Sequence, residues 1–499
     1  MVHKIEWKDR KNVISCYLSK DATPDKSAVA ELHQMTALEE TLERLTAVPS
    51  YFQEDAPRIE KIIVTPDFHK GAGIPIGTVM MTKGFAVPQA MGNDINCGMR
   101  FYTTDLSEEK IRQKLPELTK KIRHIFFEGG RQIPMTGRQR EALFRYGLEG
   151  LLETYQDSDK SGLWQYYQPE IQEKWLSRTM FRGSLKAAET EGLEDFIGDY
   201  KQLTYDDQIG TIGGGNHFLE VQRVVEIYDG QTANAWNLKK GAVVIMLHTG
   251  SLTIGHHSGL LNRKICQEIY PVRLAQPENK IYPIPENCTI QNAWKRFWSA
   301  SKNAANFGFV NRLFLGFMIQ EVFTQVLGAC DMELLYDAPH NYIWKQQIDG
   351  ENYYIHRKGA CCARGCEEME GTEFAYYGEP VMIPGSMGSS SYLLRGLGNS
   401  DALWSASHGA GRQKSRGDAI KGNDAAFRQF MEHFHVITPI DPNRTDLKGR
   451  ADILKKWEES IRAEAPYAYK DIHEVIAVHT AHNIAQPIAR MEPIFTVKS

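Results

Sequence analysis

Residues 242–247, Ala-Val-Val-Ile-Met-Leu, form an unbroken apolar run between Gly241 and His248. A strand with one wet face would alternate polar and apolar side chains, so this run predicts a strand buried on both faces, stopping at an imidazole. The pattern of an apolar strand that ends on a reactive side chain recurs. Met332 to Tyr336 predicts another strand, which runs into Asp337-Ala-Pro-His340. Lys61 to Thr65 and Thr78 to Thr82 are short strand candidates on either side of the glycine-rich turn PDFHKGAGIPIG.

Helical spacing occupies most of the rest. Val29, Leu32, Met35, Leu38, Leu42 and Leu45 share one face of a helix expected over 25–48, with Pro49 as its stop. Residues 291–328 read as a long apolar helical region, and 471–483 as one more helix before a strand-like tail. The segment 107–210 is charged and aromatic, with Trp164, Tyr166, Tyr167 and Trp175, and is expected to be an inserted helical region. From 381 to 412 the chain is rich in Gly and Ser, which suits loops that approach a ligand with their backbone.

Composition removes several classes of protein. The 499 residues are 42% hydrophobic and 24% charged, ordinary for a globular chain and unlike a disordered, collagenous or coiled-coil one. That length suits two to four domains or one large elaborated one. No uninterrupted apolar stretch of about 18 residues occurs, so no membrane-spanning helix is expected. The start, MVHKIEWKDRKNVIS, lacks an apolar core, so no secretory leader is expected and a cytoplasmic location is. The eight cysteines never show Cys-x-x-Cys spacing, and Cys361-Cys362-x-x-x-Cys366 lacks a second half. With 58 basic and 62 acidic residues the net charge is −4, so any polyanion must be gripped by a local basic patch. There is no Gly-Lys dipeptide, hence no Walker A loop, and no Lys-x-Asp-Gly.

Metal-ligand residue types follow strands or glycine turns at four places: Asp94 and Cys97, Asn216-His217, His248 and His340-Asn341. A carboxylate, a thiolate and three imidazoles suffice for one or two divalent ions, with the cysteine sulfur free to bridge. A fifth place is Ser407-His408-Gly409-Ala410-Gly411-Arg412. Small neighbours open this imidazole to a phosphorylated ligand that the arginine can grip, and an imidazole can attack phosphorus. Each piece alone has a bland reading: a strand-end histidine is usually a hydrogen-bonded core residue, and a buried cysteine usually a small hydrophobe.

Taken together, PDFHKGAGIPIG, GNDINCGMR, GGGNHFLE, HTGS, His340-Asn341, HRKGA, IPGSMGSSSY, SHGAGR, APYAYKD and Lys498 resemble the RtcB family of RNA ligases, in its order, over about residues 60 to 498. The resemblance implies an α+β fold, one large domain over 1–499 with mixed β-sheets in a central core, helices around it and the helical insertion at 107–210. It implies Asp94, Cys97, His217, His248 and His340 as ligands of two manganese ions, with Cys97 shared. His408 matches the histidine that becomes guanylylated. Asn216, His217, Phe218, Leu219, Glu220, His340, Asn341, Pro384, Gly385, Ser386, Met387, Ser391, His408, Gly409, Ala410, Gly411, Tyr469 and Lys498 match positions around GTP. Glu220 can accept from guanine N1–H and N2–H and Lys498 can donate to O6. Arg357, Lys358 and Arg412 are candidates for RNA or nucleotide phosphates. The implied partner is RNA with a 3′-phosphate or 2′,3′-cyclic phosphate and a 5′-hydroxyl, in tRNA splicing or RNA repair, together with an archease-like activator and no membrane. The same ligands would serve a dinuclear metal phosphodiesterase, and Leu252, where the family usually has arginine, leaves room for a non-catalytic RNA-binding paralogue.

Overall fold

A computed structural model describes residues 4–19, 24–52 and 57–499. Two sheets form its centre. The first runs, edge to edge, through Lys4–Asp9, Asn12–Tyr17, Arg58–Ala72, Ile74–Lys83, Glu351–Lys358 and Asn341–Ile348. The second runs through Met332–Pro339, Gly98–Ser107, Ala242–Thr249, Phe218–Ile227, Ala485–Val497, Ser391–Gly396 and Pro380–Ile383, with His435–Ile437 pairing parallel to Ala485–Val497. Nearly all neighbours are antiparallel, and helices cover the sheets, so the fold is α+β.

The apolar run 242–247 occupies the middle of the second sheet, with Val243, Val244, Ile245, Met246 and Leu247 all buried. One of its faces is covered by the helix Ala293–Leu327, 35 residues and about 52 Å long at about 1.5 Å per residue. That helix is buried around most of its circumference, as an all-round apolar sequence requires. It also packs against the helices Leu115–Phe127, Gly137–Glu153 and Leu252–Ile269. A single apolar cluster extends from Leu45 to Val497 and joins these helices to the sheet.

Two local expectations change. The helix over 25–48 is two helices, Lys26–Thr36 and Leu38–Thr46, broken at Ala37. Arg10 donates to the carbonyl of His33 (3.0 Å) and to Thr36 Oγ1 (3.0 Å), taking up groups at the end of the first helix. The apolar spacing ran through the break because Leu32, Met35, Leu38 and Leu42 all face one core. The glycine-rich segment 66–77 is not a free turn but the end of a hairpin, since its flanking strands extend to Ala72 and from Ile74. Their register shifts between Val64 and His69, a bulge of the kind that re-aims a side chain. Among the described residues no helix is long and apolar enough to cross a membrane.

Candidate active site

Strand register collects the metal-type ligands at one end of the second sheet. His248 lies opposite Met99 on one side and Phe218 on the other, and Pro339 lies opposite Gly98. Cys97, His217 and His340 each stand one residue beyond those positions, so four strand ends deliver four ligands to one spot. The amide of His340 donates to the carbonyl of Cys97 (2.8 Å), which ties two of the ends together.

The side chains meet at Cys97. Its Sγ lies 3.2 Å from His217 Nε2 and 3.3 Å from His248 Nε2, which is itself 3.3 Å from His340 Nε2. Asp94 Oδ2 is 3.1 Å from His217 Nε2 and accepts no hydrogen bond, although it is buried. The ligand atoms fall into two groups, Asp94, Cys97 and His217, and Cys97, His248 and His340, each within 4.8 Å and sharing the cysteine. A buried carboxylate oxygen without a donor, facing a thiol and imidazole nitrogens, is a donor set that suits cations. In His248 the partner of Nδ1 is the Asn216 carbonyl (3.1 Å), which leaves Nε2 as the lone-pair atom a metal would use.

Burial sets the charge state of the cluster. It pushes the Cys97 thiol well above its usual range, with Asp94 adding to the effect. It lowers His248 and His340 well below the usual imidazole value, and the crowding of imidazoles around them works in the same direction. Burial would also raise Asp94, but its contact with His217 and the Leu252 amide (2.7 Å) holds its carboxyl below the usual range. Neutral imidazoles are the ligating form, and a bound cation would favour the thiolate.

His408 stands beside this cluster, its ring centroid 4.8 Å from that of His340 and 6.4 Å from that of His248. Its Nδ1 pairs with Asp67 Oδ2 at 2.5 Å, and its main-chain amide reaches the same oxygen at 3.3 Å. Asp67 is wholly buried. Burial would raise its pKa, but the His408 contact and the Thr65 hydroxyl (2.5 Å) hold it well below the usual carboxylate range. The aspartate therefore remains a charged acceptor for Nδ1–H, and Nε2 carries the free lone pair. Gly411 (φ 75°) has to be glycine here, since a Cβ would sit 2.4 Å from the Asp67 carbonyl oxygen.

A cleft of about 700 Å³ takes in the metal-type ligands and His408. Asn216, Phe218, Glu220, Asn341, Pro384, Gly385, Ser386, Met387, Gly409, Ala410, Gly411, Tyr469 and Lys498 also line it. Leu219 and Ser391 do not. Leu219 is fully buried in the core cluster, and the Ser391 hydroxyl accepts from Gln222 Nε2 (2.9 Å), whose other bond is to Glu220 Oε1 (2.6 Å). Burial raises Glu220 to about 7, against the opposing effects of Thr496, Gln222 and Lys498. Lys498 donates to the carbonyls of Gly215 and His217 and is lowered to about 8 by burial.

The three phosphate candidates separate. Arg357 is buried away from the cleft, bonded to Ser405 Oγ and the Leu403 carbonyl, both at 2.9 Å. Lys358 lines the cleft, donates to the Ile74 carbonyl (2.7 Å), and is lowered to about 8 by burial. Arg412 lines it too, but pairs with Glu464 (3.1 Å) and the Ala463 carbonyl (2.6 Å).

Residue-type spacing passed over Asp67 and Arg312. Asp67 sits inside the quoted PDFH motif, and an aspartate in a glycine-rich hairpin after an apolar strand was the available signal. Arg312, on the long helix, donates to the carbonyls of Asn96 (2.7 Å) and Thr249 (2.9 Å) and to Asp337 (2.9 Å). It gave no signal, because only packing brings it beneath the ligand loops.

The family model of tRNA-splicing ligase RtcB matches residues 54–499. A tRNA-splicing ligase RtcB of Pyrobaculum aerophilum is 31% identical over 464 residues, 87% of each chain. One of Aeropyrum pernix is 32% identical over 455 residues, again 87% of each. An RNA-splicing ligase RtcB of Mycobacterium tuberculosis is 30% identical over 456 residues, 87% of this chain and 95% of that one.

Proposed function

The chain belongs to the RtcB tRNA-splicing ligase family, and from that premise we propose that it is an RNA ligase working with GTP and manganese through a guanylylated His408. It joins an RNA 3′-phosphate, or a 2′,3′-cyclic phosphate once opened, to a 5′-hydroxyl, in tRNA splicing or RNA repair. The observation that carries this reading is the 2.5 Å pairing of His408 Nδ1 with buried Asp67, beside a five-residue metal-type cluster.

His408 Nε2 attacks the α-phosphorus of GTP, a P–N bond forms and pyrophosphate leaves. Asp67 holds the ring in the tautomer that exposes Nε2 and offsets the positive charge that the ring acquires, the part a carboxylate plays beside a catalytic imidazole. The GMP then passes to the RNA 3′-phosphate, the P–N bond breaks, and the 5′-hydroxyl oxygen displaces GMP to form the phosphodiester. Asp94, Cys97 and His217, and Cys97, His248 and His340, would hold two divalent ions, which when bound neutralise phosphate charge and favour the deprotonated form of an attacking oxygen. Glu220 and Lys498 select guanine, as acceptor of N1–H and N2–H and donor to O6. Gly409 and Ala410 leave the room a phosphate needs next to the imidazole.

Incubation with GTP labelled at the α-phosphate and manganese tests the reading. One GMP should attach per chain, and acid should release it, since a P–N bond to imidazole is acid-labile and stable in base. His408→Ala should take no label, should fail to join a 3′-phosphate RNA to a 5′-hydroxyl RNA, and should keep its metals. Undiminished labelling of His408→Ala would sink the mechanism, and an unlabelled wild type would favour metal phosphodiesterase chemistry or plain RNA binding.

A further inference from the structure

The cleft has two kinds of wall. On the side of His217, every cation is already engaged: Lys498 with two carbonyls, and Arg412 and Arg416 both with Glu464. The side of Asp94 is different. There Lys70, Arg263 and Lys280 line the cleft, all exposed, and none of them is in an ion pair among the described residues. Their backbones are firmly held. Lys70 precedes the hairpin tip, whose Gly71 and Gly73 amides donate to Glu31 (2.7 and 3.4 Å). Lys280 lies between Asn279, bonded to the Gln34 carbonyl (2.8 Å), and Tyr282, whose amide reaches Gln89 Oε1 (3.3 Å). Arg263 stands one helical turn after Gly259, whose missing Cβ would lie 3.8 Å from Asn93 Oδ1, next to Asp94. The nearby carboxylates bond elsewhere, Asp25 to Ser27 and Glu31 to the hairpin amides, and Asp25 acts on Lys70 only through space.

Joining two ends requires a second polyanion at the cluster besides the nucleotide, and a chain of net charge −4 must hold it with a local patch. We propose that Lys70, Arg263 and Lys280 bind the phosphodiester backbone of a single-stranded RNA end and lead it to the Asp94 side of the cluster. This rests on the ligase reading and adds to it the surface that holds the RNA. The exposed cations supply attraction to any sequence, and because none of them is in a contact ion pair among the described residues, no such pair has to break when a phosphate arrives.

The test uses the full chain carrying Lys70→Glu, Arg263→Glu and Lys280→Glu together, compared with Lys239→Glu/Lys240→Glu, an exposed pair outside the cleft. Binding of a fluorescent single-stranded RNA with a 3′-phosphate is followed across a salt series, and labelling by GTP is followed without RNA. The triple variant should bind RNA more than tenfold more weakly, with a log–log salt slope shallower by about 2, as three lost contacts at about 0.7 each predict. The control pair should bind as wild type does. Unchanged affinity and slope in the triple variant would overturn the assignment. So would loss of GTP labelling with RNA affinity intact, which would give this wall to the nucleotide. If the wild type takes no label while the triple variant still loses RNA, the surface stands and the guanylylation reading falls.

Discussion

At the scale of single residues, the pairing of His408 with Asp67 has the clearest consequence. Asp67→Asn keeps the shape but removes the charge, and its amide can present an N–H to Nδ1, which would move the ring proton to Nε2 and block the lone pair there. GTP labelling should slow by about 10²- to 10⁴-fold, as when the carboxylate of a catalytic triad is neutralised, with metal content unchanged. Labelling at the wild-type rate would remove Asp67 from the mechanism. Glu220 carries a second prediction. Its pKa near 7 means that below pH 7 the carboxyl is neutral and offers an O–H where guanine needs acceptors. Guanosine, which has no phosphate to titrate, should bind best between pH 7 and 8, and its affinity should fall up to tenfold per unit as pH drops below 7. Above about 8, Lys498 loses its proton and its charged donor to O6. Calorimetry at pH 6, 7 and 8 decides it, and a flat profile, or one unchanged in Glu220→Gln, would release Glu220 from guanine recognition.

At the scale of elements, the long helix is the base on which the ligand loops rest. Arg312 is fully buried and pairs with Asp337, which also holds Arg100 (2.9 Å). Arg312→Met would leave the Asn96 and Thr249 carbonyls without their donor and half of the Asp337 partnership missing. Breaking a buried pair in this way costs about 3–5 kcal/mol, so the urea midpoint should drop markedly and metal affinity with it. An unchanged midpoint would mean that water or Arg100 replaces the contact. Gly250, just past the strand Ala242–Thr249, tests the same Asp94–Cys97 loop from the other side. A Cβ there would lie 2.6 Å from both Asp94 Oδ2 and Cys97 Cα. Gly250→Ala should therefore displace the Asp94 loop and weaken metal binding, seen as fewer ions retained after dialysis, while far-ultraviolet circular dichroism stays as in wild type.

At the scale of the whole molecule, the cluster joins four strand ends of one sheet, so a metal bound there would be linked to folding. Manganese at 100 times its dissociation constant should stabilise the chain by about 2.7 kcal/mol per independent site. Cys97→Ala removes the ligand common to both groups and should abolish most of that gain, read as the loss of the manganese-dependent rise in melting temperature. Retention of two ions by this variant would rule out a shared thiolate.

The amino-acid sequence by itself determined which segments become buried strands and which side chains stand at their ends. Apolar runs and helical spacing report burial directly, and residues 242–247, 293–327 and 332–336 were legible for that reason. The candidate ligands Asp94, Cys97, His217, His248 and His340 were legible as residue types placed after strands or glycine turns, and packing brings all five together. Tertiary structure alone decided three things. It split the helix at Ala37, where Arg10 takes up the end of the first half. It sent Arg357 inward to Ser405 while its neighbour Lys358 reached the cleft, because successive residues of a strand point to opposite faces. It brought Asp67 to His408 across 341 residues and Arg312 beneath the Asp94–Cys97 loop across 216. Such contacts depend on register and on the bulge in the first hairpin, and neither leaves a period in the sequence.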